Sequence, residues 1–160
     1  GSTLEQAARV DPNHDYLDRS IIAFKKLLTI NPNDPYALNY LGYMYAEQGI
    51  YLEEAVALLL KAIALQPGNS AFYDSLGWAY FRLGDLVQAE QYLAQALDFL
   101  SQDEQGIHAE EELAVIFDHA GDVAQALGKS AEAQMHWQRV LELMPGNNEV
   151  QLKLKSTTKP

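Results

Sequence analysis

The stretch that decides the fold is YDSLGWAYFRLGDLVQAEQYL, residues 73–93. It holds two groups of residues at helical spacings, on either side of Gly84-Asp85. The groups read aromatic-x2-Leu-Gly-x2-Tyr and Ala-x3-Leu: Tyr73, Leu76, Gly77, Tyr80, Ala89 and Leu93. Glycine in a helix costs about 1 kcal/mol relative to alanine. Gly77 therefore indicates a place where a second helix comes too close for a Cβ atom.

The same pattern recurs along the chain. The copy that starts 35 residues earlier holds Leu38, Leu41, Gly42, Tyr45, Ala55, Leu59 and Pro67. A downstream copy holds Phe117, Ala120, Gly121, Ala124, Ala133, Trp137, Val140 and Pro145. Ahead of both, the second group alone is present as Ser20, Phe24, Leu27 and Pro32. Tandem copies with a period near 34 residues indicate stacked pairs of antiparallel helices.

From about residue 15 to residue 145, the chain resembles a bacterial tetratricopeptide repeat protein. The resemblance implies an all-α, right-handed superhelical solenoid of about three full repeats, with a partial repeat before them. We divide the chain into a probable cloning remnant (1–2), a partial or truncated N-terminal repeat (3–33), full repeats (34–68, 69–101 and 113–146), an insertion or extended connection (102–112), a capping helix (147–156) and a disordered tail (157–160).

Local signals set the expected helix bounds. We predict helices over 15–30, 36–48, 52–65, 113–127 and 131–143, with others starting after Asn69 and Asp85 and near 147. Asp34 before Pro35 is a strong helix start, because the carboxylate caps an orphan amide and proline loses nothing at the first helical position. Residues 3–14 are one or two helical turns at most, ending before Pro12. Residues from Lys155 onward are expected to be disordered.

Three features depart from a regular repeat. Ala55 comes one residue late, so the turn at Ile50-Tyr51 is longer than usual. Gly77 and Gly121 are 44 residues apart, which predicts either two lengthened helices or a projecting loop near 100–112, with a break near Gly106. Ala120 and Ala124 replace large residues, so the first helix of the third repeat packs either more closely or less well.

Charge is unevenly spread over the chain. The formal net charge is −11, and residues 27–128 hold fifteen carboxylates against Lys61 and Arg82, a net of −13. Such a field repels phosphate backbones and anionic lipid, so we exclude nucleic acid and membrane surfaces as primary ligands. A basic peptide partner and a merely solubilising acidic surface both fit this charge. The lack of cysteine fits either the cytoplasm or the periplasm, and we expect any native signal peptide or anchor to have been removed in cloning.

Candidate chemistry is sparse. His108 with Glu111 and Glu112 is a weak candidate for a metal site, and a solvated acidic helix start is the more common explanation. His119 beside Asp118 suggests an acid–base group, yet no nucleophile or phosphate-binding loop accompanies it. We expect no cofactor and no catalysis.

A binding surface is the better candidate. In the tetratricopeptide family the first helix of each repeat lines a concave groove through its places 2, 5, 9, 12 and 13. The resemblance thus implies a groove for a protein or peptide formed chiefly by Tyr36, Asn39, Tyr43, Glu47, Asp74, Trp78, Phe81, Arg82, Asp118 and Asp122. Aromatic residues and arginine commonly anchor interfaces. Trp78 fits either a groove anchor or packing between repeats.

Two further interpretations concern partners. The members of the family that clamp a terminal carboxylate use Lys and Asn at groove places. Here the fifth places hold Asn39, Asp74 and Asp118, so an anionic tail would meet carboxylates. Alternatively, the domain is a segment of a longer array, or it dimerises through an N-terminal end that exposes Ile21, Ile22 and Phe24.

Overall fold

A computed structural model describes residues 12–103 and 108–158, with side chains from residue 15 onward. These residues form eight helices and no strand. The helices are α1 (Pro12–Ile30), α2 (Pro35–Gln48), α3 (Leu52–Leu65), α4 (Ser70–Leu83), α5 (Leu86–Gln102), α6 (Glu110–Ala126), α7 (Ser130–Leu143) and α8 (Asn148–Thr157). Within the described part of the chain, none of them is both long and apolar enough to cross a bilayer.

The helices pack as a solenoid of two layers. The pairs α2/α3, α4/α5 and α6/α7 make the most extensive contacts, as expected for antiparallel neighbours joined by short turns. The first helices α2, α4 and α6 also contact one another in order, so they form an inner layer. The second helices α3, α5 and α7 form the outer layer, while α1 packs on α2 and α8 packs on α7. The predicted helical solenoid is confirmed.

Capping residues start the helices where the sequence predicts. The Asp34 carboxylate accepts a hydrogen bond of 3.0 Å from the Ala37 amide. The Asn69 side-chain oxygen accepts one of 3.1 Å from the Ala71 amide. Asn147 caps α8 in the same way. These short polar side chains satisfy amides that the first helical turn leaves without a partner.

Close helix approach explains the interior glycines. A Cβ atom on Gly77 would lie 2.7 Å from Leu93 Cγ, and one on Gly42 would lie 2.7 Å from Leu59 Cγ. On Gly121 it would lie 2.3 Å from Nε1 of Trp137. The alanines that face these glycines, such as Ala89, are fully buried. The predicted glycine contact within each helix pair is confirmed.

The irregular segments differ in part from expectation. The longer turn before α3 is present, and it places Tyr51 in the left-handed region with φ 47°. Near residues 100–112 both flanking helices are lengthened, since α5 and α6 have 17 residues each against 14 in α2–α4 and α7. The predicted break near Gly106 lies outside the described residues. The expectation of disorder from Lys155 is wrong for 155–157, because α8 continues to Thr157.

The N-terminal end also departs from expectation. Helix α1 starts at Pro12, earlier than predicted, and the suggested turns over 3–11 lie outside the described residues. Ile21 is buried, and Phe24 stacks on Tyr40 of α2 with ring centroids 5.4 Å apart. Both residues therefore pack on the solenoid, and only Ile22 of the three predicted apolar contacts is largely exposed.

Small side chains in the third repeat leave an open cleft. It measures about 290 Å³ and lies between α5, α6 and α7, with Leu93, Ala120, Val123 and Ala124 among its lining residues. The equivalent places of α4 hold the larger side chains of Leu76 and Tyr80. The structure shows features of both alternatives, because a Cβ atom on Gly121 would lie closer to Trp137 than one on Gly77 would lie to Leu93.

Candidate functional site

The inner layer presents a groove of about 510 Å³. Helix α2 contributes Tyr36, Tyr40 and Tyr43 to its wall. Tyr36 and Tyr40 are each 52% exposed, whereas Tyr43 is half-buried. The Tyr36 hydroxyl accepts a hydrogen bond of 3.1 Å from Gln66 Nε2. Exposed aromatic surface in a concavity is typical of a protein interface.

Tyr40 was missed in the sequence analysis. It stands one place after Asn39, at a position that a regular repeat does not assign to the groove. The signal that would have found it is the helical spacing of Tyr36, Tyr40 and Tyr43, which puts three aromatic rings on one face of α2.

The groove carries negative charge. Among the described residues that line it, Asp74 and Glu112 are acidic, and none is lysine or arginine. Asn39 also lines it, is only 8% exposed, and has a side-chain oxygen without a hydrogen-bond partner. A buried acceptor without a donor is destabilising by about 1–3 kcal/mol, and this oxygen is too deeply buried for a ligand to reach.

Tyr43 remains a neutral hydroxyl over the usual pH range. Burial raises the pKa of its phenol far above the ordinary value, and the carboxylates of Glu47 and Asp74 raise it further. A hydrogen bond between Tyr43 and Glu47 acts in the same direction. Glu47 itself is exposed but is not among the residues that line the groove.

Asp74 and His119 form a buried pair beneath the groove. His119 Nδ1 lies 2.8 Å from Asp74 Oδ1, and each residue is 5% exposed. Burial disfavours the charged imidazole, but the Asp74 carboxylate outweighs burial and holds the pKa of His119 above its usual range. The pair joins α4 to α6 across 45 residues of sequence, so Asp74 is engaged within the fold.

Trp78 and Phe81 pack at this same junction between repeats. The Trp78 indole stacks on the His119 ring, with centroids 4.1 Å apart and planes 14° apart, and on Phe81 at 4.9 Å. Phe81 also packs against the buried residues Leu93 and Val123. Of the two interpretations of Trp78, this arrangement supports packing between repeats. Trp78 and Phe81 are both half-buried, although we assigned Phe81 to the groove.

Asp118 and Asp122 are paired with a lysine that the sequence analysis did not consider. Lys153 of α8 lies 2.8 Å from Asp118 Oδ1 and 2.9 Å from Asp122 Oδ1. Burial opposes the charge on Lys153, yet the two carboxylates raise its pKa above the usual value. The pKa of Asp122 is also raised, because burial outweighs the effect of Lys153. This acidic end of the concave surface is therefore largely neutralised.

Of the remaining candidates, Arg82 lies apart from the groove, whereas His108 lines it. Arg82 is exposed, and its guanidinium lies against Gly49 at the turn that ends α2. His108 lies 3.0 Å from Asp103 and 4.0 Å from Glu112. Among residues 15–103 and 108–158, no group of three His, Cys, Asp or Glu side chains has the geometry to hold a metal ion.

A common register relates these polar pairs. Asp74 and Asp118 occupy the fifth place of their repeats, and each contacts the sixth place of the next inner helix, which is His119 and Lys153 respectively. Lys153 follows its cap Asn147 by six residues, as Ser75 follows Asn69. Helix α8 thus continues the inner layer in register. This register can be read from the sequence only after adjacent repeats have been aligned and the longer third period has been taken into account.

The arrangement defines a helical-repeat fold, and comparisons with known proteins identify the repeat. A profile of the tetratricopeptide repeat matches residues 23–56 and 58–91. Each match includes a complete inner helix and starts eleven residues before the corresponding repeat in our division, that is, at 23 against 34 and at 58 against 69. A TPR repeat-containing protein of Pseudomonas aeruginosa is 43% identical over 77 residues, which is 48% of this chain. The chain spans only 13% of the length of that relative.

Solved structures show the same fold. The first TPR domain of human RPAP3 has a TM-score of 0.66 and 26% identity, covering 80% of this chain and 92% of its own. The first TPR of Spaghetti (RPAP3), bound to the HSP90 peptide SRMEEVD, has a TM-score of 0.64 and 27% identity, covering 78% of this chain and 90% of its own. A crystal structure of MamA, at 23% identity, matches in fold with a TM-score of 0.66 over 88% of this chain and 76% of its own. These matches identify tetratricopeptide repeats over residues 23–56 and 58–91, and the solved structures show that the described chain has the fold of a tetratricopeptide repeat domain.

Proposed function

We propose that this domain is a non-catalytic interaction module that binds a positively charged peptide segment of a partner protein in the α2–α4–α6 groove. The observation that carries the proposal is the groove itself. It is about 510 Å³ in volume, is lined by three tyrosines of α2, and has carboxylates but no lysine or arginine among its described lining residues. Aromatic anchors with complementary charge at the edge are the usual basis of such recognition.

The solved relatives support peptide binding and suggest a difference in charge. The Spaghetti domain is bound to the peptide SRMEEVD, which carries three acidic residues. In this chain the fifth places of α4 and α6 hold Asp74 and Asp118. A peptide rich in Glu and Asp would approach like charge here, so the preferred ligand is of opposite sign.

Site-specific photo-crosslinking tests the proposal. A benzophenone side chain at Tyr40 would lie in the groove, and one at Val87, which is 72% exposed on the outer helix α5, would lie outside it. The domain is irradiated in a lysate of the source cells. It should form discrete adducts through position 40, and these adducts should be absent when the crosslinker is at position 87. Identical adducts from both positions, or adducts from position 87 alone, would sink the groove proposal.

A second candidate function is stacking on a further helix or copy through α1. Leu27 is 38% exposed, whereas the equivalent residues Ala62, Ala96 and Val140 of α3, α5 and α7 are 0% exposed because an inner helix of the same pair covers them. Self-association through this face predicts a dimer in sedimentation velocity that Leu27→Glu dissociates. A monomer at high concentration would exclude self-association through α1.

A further inference from the structure

The tyrosines of α2 form a stripe along the groove. Tyr36, Tyr40 and Tyr43 follow one another at intervals of four and three residues, so their rings lie on one face of the helix. All three line the groove, and two of them are about half exposed. The rings of Tyr36 and Tyr40 are braced from behind by an edge contact with Phe72 at 5.5 Å and a stack with Phe24 at 5.4 Å. The stripe is therefore held in place before any ligand binds.

A hydrogen-bond acceptor lies in the same groove as this stripe. Glu112, in the first turn of α6, lines the groove, its side chain is 69% exposed, and His108 Nδ1 lies 4.0 Å from its carboxylate. The Asp74 carboxylate already bonds to His119, and the side-chain oxygen of Asn39 is too deeply buried for a ligand to reach. Glu112 is therefore the accessible carboxylate of the groove.

We propose that the Tyr36–Tyr40–Tyr43 stripe and Glu112 form a subsite for the side chain of one arginine of the bound peptide. The inference rests on the proposed function and makes it more specific. An arginine guanidinium is planar, stacks on aromatic rings, and carries five N–H donors, two of which can reach one carboxylate together. A lysine ammonium is compact and more strongly hydrated, so it gains less from the tyrosine rings.

The charge of the groove supports a cation at this place. No lysine or arginine among the described lining residues competes for Glu112. At the other end of the concave surface Asp118 and Asp122 already bind Lys153 of the same chain. The arginine subsite is therefore expected at the α2 end of the groove, and the acidic pair on α6 is not expected to contribute.

A positional-scanning library tests both levels of the proposal. The probes are immobilised, acetylated nonapeptide amides in which one position at a time is fixed as Arg, Lys, citrulline, Leu or Glu and the others are mixed. We expect pools with a fixed Arg to retain the domain best at one or two positions, with retention about tenfold above the matched Lys pools. Citrulline keeps the planar shape and loses the charge, so its pools should fall to the level of Leu.

Variants assign the preference to the subsite. Glu112→Gln and Tyr40→Leu should each remove most of the Arg preference. The matched controls are Glu53→Gln, also in the first turn of a helix, and Tyr16→Leu, a tyrosine 71% exposed on α1. These controls should leave the Arg preference unchanged. Thermal unfolding by circular dichroism checks that every variant is folded, and Glu112→Gln, at an exposed helix start, keeps the test valid if Tyr40→Leu is unstable.

The outcomes separate the subsite from the groove. Equal retention by Arg and Lys pools, or an Arg preference that survives Glu112→Gln, overturns the arginine subsite and leaves a general basic-peptide groove standing. Retention that does not depend on positive charge, and that Tyr43→Ala does not reduce, overturns both.

Discussion

Asp74 and His119 are the polar residues whose burial matters most to this fold. Taking an ion pair out of water costs free energy that only good geometry and further contacts offset. Here the offset comes from the 2.8 Å hydrogen bond and from the Trp78 ring stacked on the imidazole. Removing one partner leaves the other buried without compensation. The pair should therefore act as a joint between α4 and α6 whose strength depends on pH.

Asp74→Asn tests this joint. Because the folded pKa of His119 is raised, its contribution to stability is complete below the unfolded value of about 6.5 and is lost as pH rises through the folded value. We expect a loss of about 2 kcal/mol in the free energy of unfolding near pH 5.5. The difference in the free energy of unfolding between wild type and Asp74→Asn should then become smaller by about pH 9. Urea unfolding at both pH values measures it.

The control for this variant is Glu132→Gln. Glu132 lies 3.8 Å from His136, and burial lowers the pKa of His136. Both residues belong to the outer helix α7, so their contact does not join two inner helices. Its removal should change stability little at either pH. A gap for Asp74→Asn that stays constant with pH would show that His119 is not charged in the folded protein.

Gly121→Ala should reverse the ordinary preference for alanine in a helix. Its Cβ atom would meet the rigid indole of Trp137 at 2.3 Å, whereas on Gly77 it meets the more adaptable Leu93 at 2.7 Å. We expect Gly121→Ala to cost about 3 kcal/mol and Gly77→Ala less. Ala57→Gly is the reverse substitution at an exposed place in α3, and it should lower the free energy of unfolding by the ordinary amount of about 1 kcal/mol. Stabilisation by either alanine in urea unfolding would contradict the close-approach argument.

At the scale of the helix, α6 carries smaller side chains than α2 and α4 at two core places. It is longer than α2 and α4 but carries Ala120 and Ala124 where α4 has Leu76 and Tyr80. The cleft of about 290 Å³ beside it is the physical result. The junction between the second and third repeats, α4 with α6, therefore relies strongly on the polar and stacked contacts of His119. The junction between the first and second repeats, α2 with α4, relies less on contacts of this kind.

Ala120→Leu should stabilise the protein. The cleft beside Ala120 has room for the added carbons, so we expect a gain of about 1 kcal/mol and a higher melting temperature in calorimetry. Ala79→Leu is the matched control, because Ala79 is 0% exposed in the core formed with Leu76 and Tyr45. That variant should be destabilised by overpacking. A loss of stability in both variants would mean that the cleft does not accept a larger side chain.

At the scale of the whole molecule, charge is the property that should govern association. The net charge of −11 acts together with the local carboxylates of the groove. Raising salt from about 0.1 M to about 1 M shortens the Debye length from about 10 Å to about 3 Å. We expect affinity for a basic peptide to fall about tenfold over this range in fluorescence anisotropy. Unchanged affinity would assign the binding energy to the tyrosine rings alone.

The fold was predictable because its signals are local or periodic. Asp34 and Asn69 mark helix starts by capping chemistry, and Gly77 marks close packing by its recurrence. The role of Asp74 was not predictable in the same way. Its partner His119 lies one repeat away, and the lengthened α5 and α6 shift the spacing by ten residues. The role of Lys153 was not predicted, because α8 was interpreted as a cap that covers the open end with its apolar face. Its polar contacts with Asp118 and Asp122 depend on how α8 lies against α6.

The polar pairs between inner helices also restrict how such a domain changes over time. Repeat arrays commonly grow and shrink by duplication or loss of whole units. A second copy of the α4/α5 unit placed after the first would set Asp74 against a serine instead of His119, leaving a buried carboxylate without a cation. Exchanging α6 and α8 would put Lys153 in the buried place of His119. Such rearrangements should therefore destabilise the fold unless the facing residue changes as well.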